Sequence, residues 1–129
     1  MSEEERKSSL GAGDVTIILD GEEKVLKPSY GAAKSISVKY GGLSSAIERI
    51  MRLDIEATAD IIGIGMGYTS TRRPPLDLAE KVFKSGLTDD TGALAERCVT
   101  FLRVLAGGGR LPVDEVEEAH QDSEDPPEG

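Results

Sequence analysis

The sequence predicts an α+β, mainly α fold: an N-terminal β-hairpin followed by about five short helices. Three observations predict it. Val15-Thr-Ile-Ile-Leu19 is a β-branched run that ends at Asp20-Gly21, ahead of a second short run closing at Leu26. From Ser29 onward apolar residues recur at helical spacing, and glycines or prolines punctuate the pattern. The chain is 129 residues long, which fits one domain.

The hairpin organises the rest. Asp-Gly between two apolar runs is a strong short-range turn signal, because both residues tolerate positive φ. Two registers are open. A two-residue loop pairs Leu19 with Glu22 and sets Ile17 opposite Lys24. A four-residue loop pairs Ile17 with Leu26 and Ile18 with Val25, which matches apolar residues better. Pro28 cannot donate to a ladder and holds Lys27 extended, so the second strand stops there. Two strands alone are marginal, so a helix must pack on them.

Ser29 caps the first helix, Ser29 to Tyr40, with Tyr30, Ala33 and Ser37 on one face and Ile36 and Tyr40 adjoining. Gly41-Gly42 ends it. The second helix starts at Leu43 or Ser44 and runs to about Leu53, with Ala46, Ile47, Ile50 and Met51 inward and Arg49 and Arg52 outward. Asp54 caps the third, Ile55 to about Tyr68, and with Glu56 sets negative charge at the positive end of its dipole. Its face of Ile55, Thr58, Ala59, Ile62 and Met66 is small and apolar, which marks the core helix. Thr69 to Pro75 is a loop. The fourth helix begins at Pro75 or Leu76 and runs to Lys84, with Leu78, Ala79, Val82 and Phe83 inward. Thr88-Asp-Asp-Thr is a cap cluster for the fifth, about Gly92 to Leu105, whose inward set is Leu94, Ala95, Cys98, Phe101, Leu102 and Leu105. Gly107-Gly108-Gly109 stops it.

The organisation that follows is an N-terminal arm over residues 1–13, read as disordered, a single hairpin-plus-helices domain over 14–111, and an acidic disordered tail over 112–129. Net charge is −9, and it is unevenly placed. Pro112 to Gly129 carries eight acidic residues and no basic one, whereas Ser8 to Leu111 carries thirteen of each sign. A basic stripe for phosphates is missing, so no nucleic-acid partner is expected. The neutral body and the hairpin edge favour self-association into a homo-oligomer. No apolar run approaches the roughly 20 residues that span a bilayer, so no membrane partner is expected. No apolar leader follows the Ser-Glu-Glu-Glu-Arg-Lys start, and the one cysteine suits a reducing, cytoplasmic location.

Chemistry-bearing motifs are scarce. Gly63-Ile-Gly65-Met-Gly67 lacks the G-x-G-x-x-G spacing and sits at a helix end, so it reads as close packing rather than a phosphate loop. Gly107-Gly108-Gly109-Arg110 lacks the Gly-Lys-Ser/Thr ending and reads as a flexible hinge. His120, the only histidine, lies in the acidic tail, where nothing holds it in a site. Cys98 reads as a small buried hydrophobe. Glu22-Glu23 and Asp89-Asp90 occupy turns and caps, and no calcium-loop spacing occurs. No catalytic, cofactor-binding or metal-ligating residue is assigned, and no enzyme activity is expected. Arg72-Arg73 with Pro74-Pro75 forms a small basic loop that reads as solvated and suits an acidic partner.

The order of motifs resembles a known family. Val15-Thr-Ile-Ile-Leu-Asp-Gly, then Leu26-Lys-Pro-Ser-Tyr, Ala33, Ile36, Gly42-Leu43, Ile61-Ile-Gly-Ile-Gly and Phe101-Leu-Arg-Val-Leu-Ala-Gly-Gly-Gly look like the gene transfer agent and phage tail protein family, described either as a tail tube protein or as a tail assembly chaperone. The likeness covers Val15 to Gly109 and departs at Ser37-Val38, where an acidic residue is expected. It implies a non-enzymatic protein of a bacterial host's cytoplasm that binds the tail tape measure protein and the tail tube protein, with a structural tail tube or tail-completion subunit as the alternative.

Overall fold

A computed structural model describes residues 13–88 and 93–110. Within them, β1 (Val15–Leu19) and β2 (Glu22–Leu26) form a two-stranded antiparallel sheet, and five helices follow: α1 (Tyr30–Tyr40), α2 (Leu43–Met51), α3 (Ile55–Gly65), α4 (Leu78–Ser85) and α5 (Leu94–Ala106). The expected α+β, mainly helical fold is the observed one.

The hairpin takes the two-residue loop, with Leu19 opposite Glu22, Ile17 opposite Lys24 and Val15 opposite Leu26. Turn chemistry decides against cross-strand apolar matching. Asp20 and Gly21 both adopt positive φ, 52° and 83°, the pattern of a type I′ turn whose twist suits the strands. Period-two alternation then buries Val15, Ile17 and Leu19 and turns Ile18 to solvent.

The core is one cluster. Phe101 of α5 is fully buried among Ile17, Leu26, Ile36, Ile50, Ile61 and Ile62, which come from both strands and three helices. α3 is the core helix expected, buried on most of its length. α5 lies across α1, α2, α3 and β1. Thr58 is the only buried polar residue among those described, and its hydroxyl donates to the Asp54 carbonyl at 2.8 Å.

Several inward assignments differ. Ala32 and Ile36 make the buried face of α1, while Tyr30 stands 79% exposed. Met51 and Phe83 also face solvent, each 66% exposed. The reason is common to all three: short side chains such as Ala32, Ala46 and Ala79 let the helices approach closely, and the large residues one step round fall outside the contact. α4 starts at Leu78, because Leu76 lies in the turn before it.

Local chemistry sets the helix ends. The Ser29 hydroxyl accepts from the Ala32 N–H at 3.0 Å, and the Asp54 carboxylate accepts from the Ala57 N–H at 3.0 Å. Four helices close with the same bond, from an N–H to the carbonyl five residues earlier: Gly42 to Ser37, Asp54 to Arg49, Tyr68 to Gly63 and Gly109 to Val104. This cap needs one residue in the left-handed conformation. Gly41, Gly67 and Gly108 supply it after α1, α3 and α5, but after α2 the residue is Leu53, with φ of 62°. A Cβ there costs about 1–2 kcal/mol. These caps end α2 at Met51 and α3 at Gly65, short of Leu53 and Tyr68. The cap cluster proposed before α5 falls partly outside the described residues, as do the N-terminal arm and the acidic tail. The glycine run after α5 is a bonded turn, and it backs onto Gly13, where an added Cβ would overlap the Gly109 carbonyl.

The Asp54 carboxyl is held below the usual carboxylate range, first by the Ala57 N–H and then by Arg49, whose guanidinium reaches Asp54 Oδ2 at 2.8 and 2.9 Å. A lowered folded-state value means that this group's stabilisation is fully present above its ordinary value, about 3.9, and is lost as pH falls through the lower folded one. Asp54→Ala is expected to cost about 1 kcal/mol in urea unfolding at pH 7. The gap between wild type and variant should close below about pH 4.

Candidate functional site

Besides a depression of about 570 Å³ between the start of α1 and the turn after α5, lined by Asp14, Ser29, Tyr30, Leu105 and Gly109, two depressions of different character flank the helices. The first is a polar cleft of about 430 Å³ between α1, α3 and the loop after α3, lined by Lys39, Asp60, Tyr68, Thr69, Ser70 and Arg73. Its carboxylate is already engaged: Asp60 Oδ2 accepts from Tyr40 Oη at 2.7 Å and lies 3.0 Å from Lys39 Nζ. Burial, then the bond to Asp60, pushes the Tyr40 hydroxyl well above its ordinary value. This cluster ties α1 to α3 and holds the phenol as a fixed donor. Arg72 stacks over the Tyr68 ring at 5.4 Å, while the Thr69 hydroxyl accepts from the backbone of Thr71 and Arg72, so the basic loop is a bonded turn.

The second is an apolar groove of about 390 Å³ between the end of α2 and the outer face of α5. Met51 and Leu53 form one wall, and Ala95, Val99 and Thr100 form the other. Glu96 and Arg103 stand at its two ends on α5. Neither makes an ion pair with a described residue. Leu53, the residue held in the strained cap position, is 48% exposed here. Two apolar side chains are thus kept at the surface of one concavity, a feature more often associated with a contact site than with a lone exposed leucine.

The hairpin offers less of an edge than its sequence suggests. On β1 the Thr16 carbonyl accepts from Arg97 Nε at 2.9 Å, and the Asp20 N–H donates to the Ser85 hydroxyl. On β2 the Lys27 N–H, just past the strand, donates to the Gly65 carbonyl at 2.9 Å, and Glu22, Glu23 and Lys24 supply charge that opposes strand addition.

The sequence candidates are placed as follows. Gly63 and Gly65 serve packing: a Cβ on Gly63 would lie 3.3 Å from Leu78, and one on Gly65 would lie 3.1 Å from Leu26 and Phe101. Glu22 pairs with Lys24 at 3.2 Å. His120 and Asp89-Asp90 lie outside the described residues. No group of three or more metal-ligating side chains gathers among those described. Cys98 is fully buried, and burial pushes its thiol up to about 12. In the native protein at pH 8 it is expected to resist a maleimide until the chain unfolds, which labelling with and without urea checks.

The groove escaped the sequence reading, because it exists only where α2 meets α5. Two signals pointed to it. Leucine stands where three sister caps carry glycine, and Glu96, Val99 and Arg103 are what the inward set of α5 leaves outside.

No described helix is long and apolar enough to cross a membrane. No protein-family model matches the chain, nor does any curated protein or solved structure.

Proposed function

We propose that this chain is a tail assembly chaperone-like protein of phage or gene transfer agent morphogenesis, acting in the host cytoplasm by binding the tape measure protein and tube subunits and catalysing nothing. The sequence support is the order of motifs from Val15 to Gly109. The structural observation that carries the reading is the apolar surface at α4: Leu76 is fully exposed and Phe83 is 66% exposed, seven residues further along. Hiding one such side chain against a partner removes roughly 1.5–3 kcal/mol of unfavourable hydration, so Leu76 and Phe83 serve as anchors of a wider contact with an apolar helix. A single two-stranded sheet among the described residues weighs against a tube subunit, which closes rings through broader sheets.

The test is co-expression with the tape measure protein of the same particle. Wild type is expected to raise its solubility and co-purify with it, and the double variant Leu76→Ser/Phe83→Ser to lose both effects while staying folded. Unchanged solubility with wild type would sink the chaperone reading. Recovery of the chain in stoichiometric amount from finished tails would favour the structural alternative.

A further inference from the structure

The groove between α2 and α5 has a symmetry that its lining residues reveal. The α5 side is a stripe of Glu96, Val99, Thr100 and Arg103, one outward face of the helix. Its midpoint lies between Val99 and Thr100. Antiparallel pairing with an identical helix about that midpoint sets Glu96 level with Arg103 of the partner subunit, Val99 level with Thr100 of the partner subunit, and repeats both contacts by the two-fold axis. We infer that this face is a homodimer interface, in which α5 packs antiparallel on α5 of a second copy and Met51 and Leu53 are covered.

Four observations select a second copy as the occupant. The stripe is complementary to itself in charge, acidic at its start and basic at its end, so one partner satisfies both ends twice. Glu96 and Arg103 have no ion-pair partner among the described residues, so both charges are open to pairing across an interface. The antiparallel arrangement also opposes the two helix dipoles, with Glu96 in the first turn and Arg103 in the last turn of each. Finally, the excess charge of −9 lies outside the body, which from Ser8 to Leu111 carries thirteen charges of each sign, so the bodies themselves carry no net charge that opposes their pairing. The strained cap fits the same picture. Glycine at position 53 would relax the backbone but leave Met51 as the one exposed apolar side chain of that wall; leucine keeps a second there at a cost in backbone strain.

The interface stands apart from the α4 surface assigned to the tail partner, and its test does not depend on that assignment. Sedimentation equilibrium of the full chain up to millimolar concentration is expected to show a dimer. Glu96→Arg and Arg103→Glu each place like charges face to face twice and should weaken the dimer at least tenfold, with circular dichroism unchanged. Equal mixing of these two variants restores both opposite-charge pairs and should regenerate a dimer of one copy each. The double variant E96R/R103E should dimerise by itself. Leu53→Gly, which keeps a residue type found in the sister caps, should stay folded and weaken the dimer by a similar factor. Wild type that remains monomeric throughout, single variants that dimerise as tightly as wild type, or a mixture that fails to re-form the dimer would each overturn the inference.

Discussion

Phe101→Ala is expected to remove about 3–5 kcal/mol of stability, the largest loss from any single truncation here. The ring is fully buried where the hairpin, α1, α2 and α3 converge, so the neighbours cannot close the space without moving together. Domains of this size are stable by only about 5–15 kcal/mol, so the loss takes about a third or more of the total at the middle of that range. Urea denaturation followed by circular dichroism measures the loss. The matched control is Phe83→Ala. That ring is exposed, and its truncation should change stability by less than about 0.5 kcal/mol. Equal effects from the two phenylalanines would contradict the burial described above.

Gly65→Val is expected to cost about 3 kcal/mol by the opposite route, overpacking. A single added carbon already meets Leu26 Cδ2 and Phe101 Cε2 and Cζ at 3.1 Å, and both residues are fully buried, with no free volume to retreat into. Valine adds two further methyl groups. The same glycine's carbonyl accepts from the Lys27 N–H, so pushing α3 away also pulls on the exit of the hairpin. Thermal unfolding should report a fall of roughly 4–8 °C for each kcal/mol. Helix propensity alone argues the other way, since glycine inside a helix costs up to about 1 kcal/mol, so a raised melting temperature would show that α3 does not pack as described.

What the sequence made legible is the chemistry that acts over a few residues. Ser29 and Asp54 cap their helices because a side-chain oxygen needs only the next turn to find an N–H. Asp20-Gly21 set the hairpin loop, and their demand for positive φ outweighed the better apolar matching of Ile17 with Leu26 and Ile18 with Val25. The glycine stops at Gly41 and Gly107 were readable for the same reason. Facing was less legible. Tyr30, Met51 and Phe83 are apolar enough to be assigned inward, but the contact surface of each helix is decided by which neighbour approaches it and how closely. That depends on small residues such as Ala32 and Ala46 seen together with their partners. The groove was the least legible feature, since Leu53 and Val99 are 46 positions apart in the chain and only packing brings them to one concavity. Leu53 also shows why a local rule fails there: the cap position favours glycine, and the residue found departs from it at the edge of the surface assigned to dimerisation.

The contact between Gly13 and the Gly109 carbonyl has a consequence for how the folded body can be rewired. Its first and last described segments touch, so a short glycine bridge joining residue 13 to residue 109 would circularise the backbone without stretching it. Reopening that ring in the exposed loop between Thr69 and Arg73 would give a permuted polypeptide with the same interior and new ends beside the polar cleft. Fusion partners or labels could then be carried at either of two separate places on one unchanged scaffold.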